Sequence, residues 1–205
     1  MVAEKGMYLA YLFQALIALS GVYAYATGQV GEAFTAAFMF ALSVVPYVVA
    51  ARENIRFPWF VYFLISLALW FHAAGYAQGF YVDLYPYYDK VAHLVSGITI
   101  ALLGFLGVVY LDRHWGMNLT PLFVAGFTII FGLALGAVWE MYEFLVDMIF
   151  GGSLAGPMQN GLADTMLDMI FVLVGSLMVA LVALSYFRNH RVDDLGDSLE
   201  ELPGA

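Results

Sequence analysis

The sequence predicts an all-α, polytopic transmembrane helical bundle of about six spans, with both termini cytoplasmic. Three observations predict it. The 205-residue chain is 63% hydrophobic and only 11% charged, with a mean hydropathy of +0.85. A soluble domain carries roughly 25% charged residues. Apolar runs recur at lengths near the ~20 residues a helix needs to cross a hydrocarbon core of ~30 Å. These runs lack the alternation of a barrel strand, and a helix satisfies its own backbone groups in lipid. The formal charge, 7 minus 16 or −9, comes without a basic patch and argues against nucleic acid as a partner. With no cysteine, neither a disulfide scaffold nor a thiolate metal site can form.

The first run, Met7 to about Ala26, reads as a retained span whose interior Gln14 and Ser20 hydrogen-bond to neighbouring helices. A short loop without basic residues leads to the second, about Ala33 to Ala51. Pro46 inside it removes a backbone donor and predicts a kink. RENIRFP, with Arg52 and Arg56, separates spans two and three. Span three, about Phe57 to Ala77, carries Trp59, Tyr62, Trp70 and Tyr76 near its ends, as interfacial aromatic belts do. The segment QGFYVDLYPYY, 78–88, has five aromatics and suits either a membrane surface or the roof of a pocket.

Span four is about Lys90 to Leu111, where Gly97, Gly104 and Gly107 allow a neighbour to approach. Span five runs from about Pro121 toward Phe150 and contains the small-residue pair Gly132 and Gly136. The glycine- and proline-rich stretch 151–161 is a loop. Span six is about Leu162 to Phe187. Residues 1–187 thus form the transmembrane domain, and 188–205 a polar, acidic cytoplasmic tail.

Lysine and arginine bias orients the bundle. Six spans place Lys5, Arg52, Arg56, Arg113, Arg188 and Arg191 on one side and Lys90 alone on the other. The first side is then cytoplasmic. This topology gathers ionisable residues from four helices into one layer in the outer leaflet. Asp89, Lys90 and His93 begin span four, and Asp89 and His93 share a face one turn apart. Glu140, Glu143 and Asp147 lie on one face near the end of span five, and Asp164 and Asp168 on one face at the start of span six. His72 near the end of span three reaches the same depth.

Charges inside a span are costly and turn to the bundle interior or a wet cavity. Converging carboxylates repel unless protons or a cation compensate them. The layer therefore predicts a divalent metal site, with Asp89, His93, Glu140, Glu143, Asp164, Asp168 and His72 as candidate ligands. Imidazole among carboxylates puts Zn or Mn ahead of Mg or Fe. Two other readings compete. The charges pair with one another and with span ends, which suits Asp147 and Asp164 best, or they line a proton or ion pathway. Lys90 is either an anion clamp or the partner of an acidic neighbour. Trp139 reads as lipid-facing packing, and His114 and His190 as solvated. Glycine-rich nucleotide loops, serine-elbow pentapeptides and HExxH are absent from the sequence.

The motifs Y-D-K-x-x-H at 88–93, W-E-x-x-E-x-x-x-D at 139–147 and D-T-x-x-D at 164–168, followed by Gly175, resemble signatures of the YjdF-like inner-membrane proteins of bacteria and archaea. They come in the same order over roughly half the chain. D-K-x-x-H at the head of a span is also, more distantly, similar to VanZ-like membrane proteins. The resemblance implies a multi-pass protein of the cytoplasmic membrane and these site residues, and it carries no assigned reaction.

Three functions follow as expectations. The first is a metal-dependent membrane enzyme hydrolysing a lipid or lipid-linked substrate, with Glu143 as general base and Lys90 holding a phosphate or developing anion. The second is a proton- or cation-coupled transporter or channel. The third is a structural or partner-binding membrane protein. Nothing in the sequence sets the oligomeric state. The orientation is directly testable: reporter fusions after Tyr110 and Arg188 should read cytoplasmic, and fusions near Tyr81 and Ser153 external. An external reading at Arg188 overturns the outer-leaflet assignment.

Overall fold

The structure, a computed structural model, describes residues 2–53, 57–150, 158–190 and 192. The expected Arg56, most of the 151–161 loop and most of the acidic tail lie outside the described residues. Within them the chain is helical throughout: α1 Val2–Ala26, α2 Val30–Glu53, α3 Trp59–Ala77, the one-turn α4 Phe80–Asp83, α5 Tyr87–Trp115, α6 Pro121–Phe150 and α7 Leu162–Tyr186. All but α4 are long and apolar enough to cross a membrane. At ~1.5 Å per residue, the 29-residue α5 is about 44 Å long and must tilt or protrude from a ~30 Å core. Helix α2 continues through Pro46.

The helices form two trios. One is α1, α2 and α3, which pack on each other; the other is α5, α6 and α7; α3 against α5 joins them. Gln14 on α1 donates to the Ser43 carbonyl of α2 at 3.1 Å. Ser20 donates to its own Leu16 carbonyl and accepts from Gln78 at the end of α3. Both expected interhelical bonds of the first span are present. Ile17, Ala36, Met39 and Ala73 form the core of the first trio. At the end of the bundle away from α4, Val61, Phe105, Val109, Val124, Ala183 and Phe187 pack into a second core. Val192, inside the expected tail, is buried against it.

Of the four aromatics expected as belts on α3, Tyr62 and Tyr76 turn into the protein, while Trp59 and Trp70 are half-buried. Tyr62 is buried, its ring 4.5 Å from that of Tyr47; Trp70 packs on Phe13; Tyr76 points inward. The reason is position: α3 is surrounded by α1, α2 and α5, so its ends meet protein rather than headgroups.

Helices α5 and α7 meet backbone to backbone. A Cβ on Gly97 would lie 2.7 Å from Val172 Cα, and one on Gly175 would lie 2.7 Å from the Ile98 nitrogen. Gly104 admits the Phe131 ring, Gly132 admits Ser176 and Gly136 admits Val172. The small residues singled out in spans four and five therefore sit at contacts, with one correction: Gly107 is exposed and faces nothing within 4 Å. Small residues let helices approach closely where lipid supplies no hydrophobic drive between them.

The two kinds of glycine should behave differently. Gly175→Ala forces α5 and α7 apart and should destabilise the protein by about 1–3 kcal/mol, read as a lower thermal midpoint in mild detergent. Gly107→Ala adds a methyl into open space and should leave the midpoint unchanged or slightly raised. Equal effects at the two positions would remove the crossing from its structural role.

Candidate functional site

The α5–α7 crossing brings the start of both helices together, and with them their ionisable residues. Lys90 is buried, and its ammonium lies 2.7 Å from Asp89 Oδ2, 2.5 Å from Asp164 Oδ1 and 2.8 Å from Asp168 Oδ1. An ammonium has three protons to donate, so the three aspartates occupy them all. Of the two roles open to Lys90 from sequence, the structure places it in acidic pairing. Asp164 is held further by the Asn160 backbone and side-chain amides.

Asp89 then bridges Lys90 to His93. Its Oδ1 lies 3.3 Å from His93 Nε2 within the same helix face, and Asp168 Oδ1 lies 3.7 Å from that nitrogen. The other ring nitrogen, Nδ1, faces Glu140 Oε1 at 3.8 Å. His93, Glu140 and Glu143 are all buried, and each offers a ligand atom within 4.8 Å of the others; Asp89, His93 and Asp168 form a second such group. His93 belongs to both.

Glu143 Oε1 accepts from Trp139 Nε1 at 2.9 Å and from the Tyr76 hydroxyl at 3.4 Å. Gln159, in the connection between α6 and α7, donates to the Glu140 carbonyl and to its Oε2. Trp139 was expected to face lipid. It turns inward instead, its ring 4.7 Å from that of His72 and its nitrogen on Glu143. One turn of helix separates Trp139 from Glu143, so the face that buries the carboxylate also draws in the indole. That i,i+4 spacing is the signal by which the sequence could have revealed it.

His72 lies beside the cluster, its ring 5.9 Å from that of His93. Tyr81 Oη lies 2.6 Å from its Nδ1, and Ser96 Oγ 3.2 Å from its Nε2. Burial, with the charges of Glu143 and Asp89 nearby, pushes the Tyr81 phenol well above its ordinary range. Tyr81 therefore keeps its proton, and the tautomer of His72 sets which way each of these two hydrogen bonds runs. Both nitrogens are engaged, and His72 stands outside the two groups of candidate ligands. Tyr81 arrives from α4, for which Gly79, at φ +76°, turns the chain back over α3. Gly75 leaves the space its ring fills. Of the two roles open to segment 78–88, roofing the site is the one this ring performs.

Asp147 does not join Glu140 and Glu143. Its carboxylate accepts the Met158 and Gln159 amides at 2.9 Å and anchors the chain entering α7. His114 and His190 are exposed, stacked on Tyr110 and Tyr186.

Beneath the cluster lies a cavity of about 570 Å³, with walls from α2, α3, α5, α6 and α7. His72, His93 and Tyr142 stand at one end, and Ile65 and Leu103 at the other.

Fold and site together define a class: a multi-pass integral membrane protein with a buried histidine and carboxylate cluster set against an apolar cavity. The chain belongs to the family described as predicted membrane protein (DUF2238), which it matches over residues 8–189. It is similar to a Thermotoga maritima protein described as an uncharacterized protein, with 27% identity over 136 residues, covering 66% of this chain and 67% of the relative. No solved structure matches it. These findings agree with the multi-span membrane family to which the three motifs pointed.

Removing Lys90 should expose the cost of the aspartates around it. Lys90→Met leaves Asp164 and Asp168, both buried, and the half-buried Asp89 without their cation and should lower stability by about 3–5 kcal/mol in a denaturation series. Adding Asp164→Asn and Asp168→Asn to Lys90→Met should recover part of that loss. A Lys90→Met protein as stable as the parent would show that the pairing is immaterial.

Proposed function

We propose that this protein is a metal-dependent membrane enzyme that hydrolyses an ester or phosphoester linkage of a lipid. One observation carries the reading. His93 Nδ1 and Glu140 Oε1 face each other at 3.8 Å, too far for a hydrogen bond, with Glu143 beside them, all buried. That separation suits two atoms sharing one ion at ~2.0–2.2 Å each. His93 Nε2 is meanwhile turned to Asp89, the carboxylate–histidine relay that orients a metal-bound imidazole. Charge supports the same reading: five carboxylates meet one lysine, and Lys90 spends its donors on Asp89, Asp164 and Asp168. Glu140 faces His93, which pairs with it when protonated, and Glu143 accepts from the neutral Trp139 and Tyr76.

The ligands proposed are His93 and Glu140, with Glu143 of the same group kept as the base and Zn or Mn as the ion. Asp89 and Asp168 on the far side of His93 are the alternative pair, and Asp164 and His72 are supporting residues. A bound divalent cation supplies Lewis acidity toward water and the scissile linkage. Glu143, one turn beyond the cavity-lining Trp139, takes the proton from the attacking water and returns it to the departing alcohol. Trp139 and Tyr76 hold its carboxylate in place for that transfer.

A transport function has less support. A proton path to the opposite face needs hydroxyls free to relay. Of the buried hydroxyls beyond the cluster, Thr99, Thr128 and Ser176 each donate to a carbonyl of their own helix four residues back, and Ser66 on α3 is left without a partner among the described residues.

Metal analysis tests the proposal. Detergent-purified protein should carry a stoichiometric divalent cation that His93→Ala and Glu140→Gln lose. Chelation should lower the thermal midpoint and added Zn or Mn restore it; an ion at about a hundred times its Kd contributes ~2.7 kcal/mol. Turnover of phosphatidyl or acyl esters in mixed micelles should vanish in Glu143→Gln. A metal-free wild type with a midpoint indifferent to chelator and to added metal sinks the reading, and leaves the cluster to shared protons and Lys90.

A further inference from the structure

The cavity opens in one direction. Helix α2 packs on α1 and α3, and α6 on α5 and α7, and α2 and α6 flank the cavity between the two trios, with Trp139 reaching across at the polar end. Phe38 of α2 and Leu135 and Val138 of α6 line the cavity and are also exposed, at 40%, 39% and 54%. In a membrane those three side chains face hydrocarbon, so the mouth of the cavity opens into the lipid interior rather than into water.

Depth is set by helix register. His93 stands at the polar end and Leu103 at the floor, ten residues along α5, or about 15 Å at ~1.5 Å per residue. On α3, His72 and Ile65 are seven residues apart, about 10 Å. The cavity thus runs from the ionisable layer toward the middle of a ~30 Å core. Its few polar lining groups are already committed near the top. Ser96 pairs with His72, and Thr99 donates to Val95. The rest is aliphatic or aromatic, and a volume of about 570 Å³ falls within the ~300–1,000 Å³ of small-molecule sites.

We propose that the cavity takes one hydrocarbon chain of a lipid from the leaflet that contains the cluster. The lipid enters sideways between α2 and α6. Its chain lies along α5 with the methyl end at Ile65 and Leu103, and its first polar linkage comes to rest below His93 and Trp139. A lipid of the opposite leaflet would present its headgroup to the aliphatic floor. This deepens the reading of the cluster as a lipid-hydrolysing site and rests on it for the chemistry at the linkage. The chain-binding claim rests on the cavity.

The test uses full-length protein in vesicles containing a phosphatidylglycerol with a diazirine at one of two chain positions. A diazirine near the terminal methyl should label Leu103 and Ile65. One next to the carbonyl should label Trp139 and Tyr142. Val138→Trp, at the lipid-facing mouth, should abolish labelling of the floor while the thermal midpoint stays that of wild type. Leu103→Trp raises the floor and should shift competition toward shorter chains by about tenfold or more. Labelling confined to outward residues such as Leu12 and Leu19, and unchanged by both variants, overturns the proposal. The two readings separate in Glu143→Gln protein. Floor labelling that persists there without turnover in wild type upholds the chain site and removes the hydrolase. Wild-type turnover with an unlabelled floor removes the chain site and keeps the hydrolase.

Discussion

Everything at the polar end of this protein depends on α5 and α7 touching through their backbones. With Gly97 against Val172 and Gly175 against Ile98, no side chain keeps the two helices apart. Their first turns are then close enough for Lys90 to reach Asp164 and Asp168 across the interface. Neither side of that arrangement stands alone. The glycines give proximity without directional attraction, because lipid is as apolar as the helix surface. The lysine and aspartates give attraction, but only at contact distance, since burying them unpaired is prohibitive. Packing supplies the geometry and charge supplies the register.

The pairing also divides the ionisable layer into two parts of different character. On one side Lys90 is saturated by Asp89, Asp164 and Asp168. On the other, Glu140 and Glu143 are held by neutral donors from Gln159, Trp139 and Tyr76. His93 stands between, one nitrogen toward each part. A buried site that spends its lysine on structure leaves its remaining carboxylates to be compensated by protons or by another positive charge. That uncompensated charge, rather than the number of carboxylates, is what motivates the proposed cation. The aromatic cover of Tyr76, Tyr81 and Trp139 sharpens it by keeping water from sharing the load.

The cavity connects this chemistry to the membrane. Its polar end coincides with the ionisable layer, and its apolar end approaches the core beneath. Amphipathic ligands of a bilayer have the same polarity along the same axis. The two-trio construction is what leaves room for it: three helices close each half, α3 packs on α5, and α6 reaches α3 at the polar end through Trp139 and Glu143.

Much of this was legible in the chain itself. Hydropathy marks the six spans because a bilayer sets their length, and the parity of spans places His72, Asp89, His93, Glu140, Glu143, Asp164 and Asp168 at one depth. The 3.6-residue period also shows that Glu140 and Glu143 share a face with each other. It does not show what that face meets. Asp147 lies on the same stripe, yet one turn further along it reaches the α6–α7 connection and caps Met158 and Gln159. Trp139 and the α3 aromatics looked like membrane-facing residues because composition carries no information on which neighbour surrounds a helix. The partners of Lys90, the engagement of His72 by Tyr81 and the existence of the cavity were decided by tertiary structure alone. A helix's sequence determines its length, depth and polar face. Its rotation against other helices is a property of their packing, here of glycines on α5 and α7 that are far apart in the chain and meet only when folded.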